Sequence, residues 1–533
     1  MHKHINASTA GAASTSSDAG TDYDAIVIGA GVAGLYQLYR LREMGLNVRS
    51  YDAAGEVGGT WYWNRYPGAR VDSQSYIYQY WFSEELLQEW DWSQRFPTQE
   101  ETERYLNFVA DKFDLRKDIQ FHTRVSSAHW DEGSARWFIN TEHGDGVTAR
   151  FLVSCSGMLS APLVPPFADH EKFKGRIAHT ARWSATGIDL AGKRVGVIGT
   201  GATGIQVIQT IAGEVAELKV FQRTPQYAVP MRNVQYDDEA RNAWRSKYPE
   251  LRERVHGTFA GFDYDFDHGS YLALSPAERK AALEEIWADG SLSFWIGGFQ
   301  ETFYDEAVNE EISEFVREKI RARIEDPAVA EKLVPKSFGF GTARVPLETG
   351  YYDAYNRDNV ELVDVSGAGI ERFTENGLIA AGREHELDII ILATGFDAGT
   401  GALTRMGIHG RDGRSLTELW GKDIRSTLGL QVHGFPNLFT VAGPLAPSTA
   451  FCNMATCLQQ QVDWVSDCIA YLREHDCDAI EPTAEKEQQW VQHHDDTAKA
   501  TLMVRTTPWS TDANIEGNQQ QLMSYIGAVR NYR

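Results

Sequence analysis

Two glycine-spaced turns, each closing an apolar run, carry the clearest chemistry in this 533-residue chain. Gly29-Ala30-Gly31-Val32-Ala33-Gly34 follows Ala25-Ile26-Val27-Ile28, and Gly199-Thr200-Gly201-Ala202-Thr203-Gly204 follows Val195-Gly196-Val197-Ile198. Glycines at this spacing permit a tight strand-to-helix turn. They also let the backbone approach a pyrophosphate, whose charge is received by the N-terminus of the next helix. One such turn is a weak signal. Two, each framed by a strand and a helix, imply two dinucleotides in one protein, an arrangement suited to electron transfer between cofactors.

The tip of the second strand of each unit tells the two ligands apart. After Gly29, Gly31 and Gly34 come a helix from Leu35 to Met44, a turn at Gly45 and the strand Asn47-Val48-Arg49-Ser50-Tyr51, which ends at Asp52. A carboxylate there accepts from ribose hydroxyls and repels a 2′-phosphate, which suits the adenosine half of FAD or NAD. After Gly199 the matching strand Leu218-Lys219-Val220-Phe221-Gln222 ends at Arg223-Thr224. A guanidinium beside a hydroxyl suits a 2′-phosphate, so the second ligand is read as NADPH.

Around these turns the elements alternate as strand and helix, giving an α/β fold with two Rossmann-like domains. A chain of this length needs more than one core. Residues 1–22 are rich in Ala, Ser, Thr and Gly and are expected to be a disordered tail. The first nucleotide unit is expected over 23–155, closing on the apolar strand Phe151–Cys155. A linker with Pro162, Pro165 and Pro166 follows, and linker plus second unit span 156–230. Charged sequence of helical period over 231–333 reads as an insertion of amphipathic helices. The second unit resumes over 334–385. The run Leu387-Asp388-Ile389-Ile390-Ile391-Leu392 before Ala393-Thr394-Gly395 reads as a central parallel strand. It is expected to return the chain to the first domain over 386–533, leaving the second domain nested in the first.

Composition excludes some classes. A net charge of −23 argues against nucleic acid and anionic membranes, both of which need a basic face. No apolar run is long enough to span a bilayer. The five cysteines, Cys155, Cys452, Cys457, Cys468 and Cys477, lack metal-site spacing and read as separate buried thiols in a reducing compartment, which points to the cytoplasm.

Three further segments carry a family resemblance. Phe173-x-Gly175-x-x-x-His179-x-x-x-Trp183 precedes the second glycine turn; Gly58-Gly59-Thr60-Trp61-Tyr62-Trp63-Asn64-Arg65-Tyr66-Pro67-Gly68-Ala69-Arg70-x-Asp72 follows the first unit's second strand; Arg344 lies seven residues ahead of Tyr351-Tyr352. Together they resemble the type I Baeyer–Villiger monooxygenases, flavoproteins that include the cyclic-ketone and phenylacetone monooxygenases. The resemblance implies that NADPH reduces FAD, that the reduced flavin captures O2 as a C4a-peroxide, and that this peroxide inserts one oxygen beside a ketone carbonyl to give an ester or lactone. An anionic oxidant in a closed site needs a fixed cation, and Arg344 is the candidate, with Asp72 as its anchor. By the same carry-over, Val57, Gly58, Gly59, Thr60, Trp61, Asp72, Tyr78, Val125 and Met454 are expected on the FAD side. Arg70, Thr200, Gly201, Ala202, Thr203, Gly204, Ile205, Gln206, Arg223, Thr224 and Arg344 are expected on the NADP side. His179 is read as fixing the interdomain linker in preference to serving as a base. Phe259–Phe266 and Leu445–Met454 are expected to border the substrate, and the segment around Trp509 to fold over it. Composition neither chooses among ketones nor sets an oligomeric state.

Rival readings are a flavin monooxygenase of amines or sulfides, against which Trp183 and Arg344 weigh, and a non-catalytic redox sensor. A disulfide reductase would need a paired redox-cysteine motif near the flavin. The chain also departs from its relatives: Ala343 stands where they often carry lysine, next to the essential arginine. Restoring Lys by Ala343→Lys is expected to lower the KM for NADPH roughly fivefold, the effect of about 1 kcal/mol from one partly exposed cation. Steady-state kinetics with NADPH and NADH measure this, and an unchanged KM contradicts it.

Overall fold

The computed structural model describes residues 22–448, 451–505 and 521–532. The tail expected over 1–22, apart from Asp22, and the Trp509 segment lie outside the described residues, as do positions 449 and 450.

The strands, in chain order, are β1 (Tyr23–Ile28), β2 (Val48–Tyr51), β3 (Ile119–Gln120), β4 (Val125–Asp131), β5 (Arg136–Thr141), β6 (Gly146–Ser154), β7 (Arg176–His179), β8 (Arg194–Ile198), β9 (Glu217–Gln222), β10 (Val229–Pro230), β11 (Leu347–Glu348), β12 (Val360–Asp364), β13 (Ile370–Phe373), β14 (Gly377–Ala380), β15 (Arg383–Glu386), β16 (Ile389–Leu392), β17 (Ile408–His409) and β18 (Leu438–Thr440). One sheet has the order β17-β4-β5-β6-β1-β2-β3, with β18 also paired to β6. Within it β1 runs parallel to β2 and β6, while β4-β5-β6 is an antiparallel meander. The second sheet, β12-β9-β8-β16-β7, is parallel throughout. Its strands are covered on both faces, which explains why they read as continuous apolar runs.

The two glycine turns fold alike because their backbones meet the same constraints. Gly29 donates its amide to Tyr51 O at 2.8 Å, and Gly199 donates to Phe221 O at 3.1 Å. A Cβ on Gly29 would lie 2.5 Å from Cys155 O, and one on Gly199 would lie 2.5 Å from Ala393 O. Both glycines have φ near +107°, a region that L side chains rarely adopt (106° and 108°). Gly34 and Gly204 press on the carbonyls of Gly29 and Gly199, so the helices Val32–Glu43 and Ala202–Ile211 start directly against their strands.

This symmetry corrects one expectation. The apolar strand β16 does not return to the first sheet; it pairs in register with β8, Ile389 opposite Val195 and Leu392 opposite Ile198. Ala393 donates to Ile198 O at 2.9 Å just as Cys155 donates to Ile28 O at 2.8 Å. Strand β16 is therefore to the second unit what β6 is to the first, and the crossing to the first sheet comes after Thr394-Gly395. The boundary expected at 386 moves accordingly.

The 231–333 segment forms the helices Asp238–Gly257, Pro276–Asp289, Ser293–Ile296, Glu306–Arg321 and Pro327–Leu333. The two-stranded pair β10-β11 closes its base, Val229 opposite Leu347. The chain leaves the second domain at Pro230 and re-enters it immediately after Arg344. Its apolar faces join the core of the second sheet, with Trp295, Phe299, Val316 and Phe340 nearly fully buried beside Val197 and Ile205.

The first turn of the helix Met454–Glu474 brings Cys452 and Cys457 side by side, with their Cα atoms 6.8 Å apart. Cys155, Cys468 and Cys477 are free. Among the described residues no helix is long and apolar enough to cross a membrane, and no cluster of side chains could hold a metal ion.

The Gly34 contact gives a direct test. A Cβ there would stand 1.8 Å from Gly29 O, a backbone atom with nowhere to move. Gly34→Ala is expected to destabilise the first domain by about 3 kcal/mol or more and to yield protein with little bound flavin. Thermal melting and the visible spectrum read this, and a wild-type melting temperature refutes it.

Candidate active site between the two glycine turns

The C-terminal ends of β1 and β8 open onto one continuous cleft of about 1740 Å³. Ligands in open parallel sheets bind at these ends, so both dinucleotide sites are expected to share this space. On its first-domain wall lie Gly29, Gly31, Asp52, Gly58, Gly59, Thr60, Trp61, Asp72, Tyr78, Val125 and Met454. On its second-domain wall lie Thr200, Gly201, Ala202, Thr203, Gln206, Arg223, Thr224 and Arg344, joined by Arg70. The structure thus gathers most of the predicted residues.

Others sit behind the wall. Val57 and Ile205 are fully buried in the two domain cores, and Gly34 and Gly204 act from below as close contacts to the turns. No residue of Phe259–Phe266 reaches the cleft, and among the described residues of Leu445–Met454 only Cys452 and Met454 do.

Asp52 closes the first cradle. Its Oδ2 accepts from Ala30 N at 2.6 Å and its Oδ1 from Ala54 N at 2.7 Å. Burial pushes its carboxyl above the usual range, and the two amides oppose that shift. Each oxygen keeps a lone pair for a ribose hydroxyl. The second cradle is cationic. Burial lowers the Arg70 and Arg182 guanidiniums from their ordinary value, and among the described residues neither they nor Arg223 has a carboxylate within ion-pair distance. Unpaired cations in a half-buried cleft favour an anionic ligand, and the phosphates of two dinucleotides fit that requirement.

Between the cradles Arg344 Nη2 donates to Asp72 Oδ2. Both side chains are 19% exposed, shielded enough for the pair to hold and open enough for the guanidinium to meet a ligand. Two phenols flank the pair. Burial raises Tyr78 and Tyr66 to about 12 each, with Asp72 adding to both shifts. Both stay neutral around pH 7. Tyr78 OH accepts from Trp61 Nε1 at 3.2 Å, and Tyr66 OH donates to Gln206 Oε1 at 2.8 Å. The second contact ties the first domain's aromatic segment to the helix behind the second glycine turn.

The fold, not the cleft, absorbs the Phe173–Trp183 motif. It forms the edge strand β7 of the second sheet and is not free linker. A Cβ on Gly175 would meet Asp388 O at 2.4 Å, so only glycine lets β7 approach the turn before β16. Trp183 is buried in the core and Phe173 packs on Phe373. His179 Nδ1 accepts from Ala181 N at 3.0 Å; its Nε2 lies 3.3 Å from both Leu163 O and Thr394 Oγ1. Thr394 Oγ1 itself donates to Leu163 O at 2.6 Å. The imidazole therefore pins the linker, whose residues 156–167 line the cleft, to the start of the crossing segment.

Sequence reasoning missed several wall residues: Tyr66, Arg124, Arg182 and Arg405. Arg182 lies over the Trp63 ring at 4.4 Å and donates to Ser160 O at 3.0 Å, contacts that bridge the domains. Its place one residue ahead of Trp183 was the available signal.

Known proteins share this architecture and its sequence. A family model described as flavin-binding monooxygenase-like matches residues 24–233. An acetone monooxygenase (methyl acetate-forming) from Gordonia sp. strain TY-5 is 56% identical over 96% of both chains. A Baeyer–Villiger monooxygenase from Pseudooceanicola batsensis is 42% identical over 96% of this chain and 94% of its own. The chain belongs to the Baeyer–Villiger monooxygenases. Among solved structures, OTEMO in complex with FAD and NADP superposes with a TM-score of 0.93 at 40% identity over 96% of both chains.

His179 generates a pH prediction. Burial lowers it from its ordinary value of 6.5, so the folded protein holds it neutral while the unfolded chain titrates near 6.5. The stability it contributes is complete above that value and is lost as pH falls below it towards the folded value. Asn at this position keeps an acceptor for Ala181 N without a titrating ring. His179→Asn is expected to flatten the fall in melting temperature between pH 7.5 and 5.5. Parallel melting curves for variant and wild type contradict the assignment.

Proposed function

We propose that this protein uses FAD and NADPH to oxidise small linear ketones, the acetone class, to esters. Asp52 and the Gly29 turn would hold FAD, and Arg223, Thr224 and the Gly199 turn would hold NADPH. The observation that carries this reading is the Arg344–Asp72 pair placed between the two glycine turns. When bound and reduced, the flavin supplies the activated oxygen. The chain's own residues do the rest. Arg344 presents fixed positive charge where negative charge develops, and Asp72 holds the guanidinium against thermal wandering. Tyr78 and Tyr66 stay protonated and add no competing charge. Preference for a small linear ketone is supported by the 56% identity with the acetone enzyme, against 42% for the other relative.

The test is product analysis with purified protein, NADPH and air. Acetone is expected to give methyl acetate, and Arg344→Ala to lower its formation by about 10²–10³-fold while the flavin stays bound and reducible. NADPH consumption that yields only hydrogen peroxide with every ketone contradicts the reading.

A further inference from the structure

The loop that delivers Arg344 is moulded by the helical insertion. Residues 335–342 form no strand, yet their backbone groups are met one after another by side chains from behind. Arg317 Nε donates to Pro335 O at 2.9 Å and Tyr227 OH to Phe338 O at 3.3 Å. Asn309 Nδ2 donates to Phe340 O at 2.8 Å, Ser313 Oγ accepts from Phe340 N at 2.8 Å, and Trp295 Nε1 donates to Gly341 O at 3.1 Å. Asn309, Ser313 and Arg317 lie four residues apart on the helix Glu306–Arg321, so one helical face presents all three to the loop. The loop fits that face closely. A Cβ on Gly339 would lie 1.9 Å from Asn309 Oδ1, and one on Gly341 would lie 2.9 Å from Trp295 Cδ1. Gly341 has φ +78°, which fixes the turn three residues before Arg344.

Trp295 also reaches the opposite wall. Its ring centroid is 5.6 Å from that of Phe451, the residue before Cys452, and Cys452 and Met454 line the cleft. Trp295 itself is 1% exposed and does not reach the cleft. One buried indole therefore touches the turn that carries Arg344 and the flavin-side turn that faces it. From this juxtaposition we infer that Trp295 is a positioning residue. It sets the height of Arg344 over the cleft relative to the Cys452–Met454 turn, and the Asn309-Ser313-Arg317 face holds the rest of the loop. The inference rests on the reading of Arg344 as the cation of the reacting site.

Trp295→Phe keeps one ring between Gly341 and Phe451 while removing the N–H donor and part of the indole's volume, whereas Trp295→Leu removes the aromatic ring altogether. In the holoenzyme Trp295→Phe is expected to lower kcat about tenfold with the KM for NADPH held within about twofold, because the Arg223 side of the cleft is untouched. It should also diminish the change in flavin absorption that saturating NADP+ produces, a readout independent of turnover. Trp295→Leu is expected to show both effects more strongly. Leu283→Ala, a cavity in the helix Pro276–Asp289, which supplies none of the loop contacts above, should lower the melting temperature yet leave kcat and the absorption change at wild-type values. Wild-type kcat and absorption change in Trp295→Phe overturn the inference. So does a Leu283→Ala variant that reproduces the losses at a matched melting temperature. If Arg344→Ala retains activity, the reading of Arg344 fails; if Arg344→Ala is inactive while Trp295→Phe matches wild type, only the positioning role fails.

Discussion

The ion pair between Arg344 and Asp72 ties the two halves of the cleft together. Asp72 belongs to the aromatic segment following the first nucleotide turn, and Arg344 to the loop at the base of the helical insertion. The pair lines the same cleft onto which both glycine turns open. Partial burial strengthens the attraction, and it also raises the cost of leaving either charge without the other. The surroundings serve that constraint: neutral phenols on either side, an insertion that fixes one loop, and a linker pinned by His179.

The near-identity of the two cradles has a physical origin. In each, a glycine at positive φ presses its missing Cβ position against the carbonyl of the residue just past the neighbouring strand. A second glycine presses on the first glycine's own carbonyl. The two differ in charge. The Asp52 end is a buried acid that accepts one amide on each oxygen, whereas the Arg223 end shares its cleft wall with Arg70 and Arg182, none of the three ion-paired among the described residues. A chain of net charge −23 concentrates cations here, which opposes its overall field.

What the sequence disclosed follows the range of the interactions involved. The glycine turns, the strand-end places of Asp52 and Arg223 and the helical character of 231–333 depend on local spacing and were legible. The partnership of Arg344 with Asp72 came through family resemblance, since 272 residues separate the two. The sheet to which β16 belongs was misread, because an apolar run of Ile and Leu looks the same in any buried parallel sheet. Only the register with β8 settles it. Val57 was misplaced because an apolar residue beside a glycine turn suits a core as well as a cleft. Trp295, Asn309 and Ser313 left no trace as site residues, since their role is to hold backbone groups of a loop remote in sequence.

The account depends on Asp72 and Arg344 acting as one unit, and a double-mutant cycle on kcat tests that most directly. Asp72→Ala, Arg344→Ala and the double variant, each with flavin content verified, are compared by product formation. Coupling is predicted: the double variant should be little worse than Arg344→Ala alone, with an interaction energy above about 1 kcal/mol. Losses that add within about 0.5 kcal/mol would show two independent residues and contradict the account.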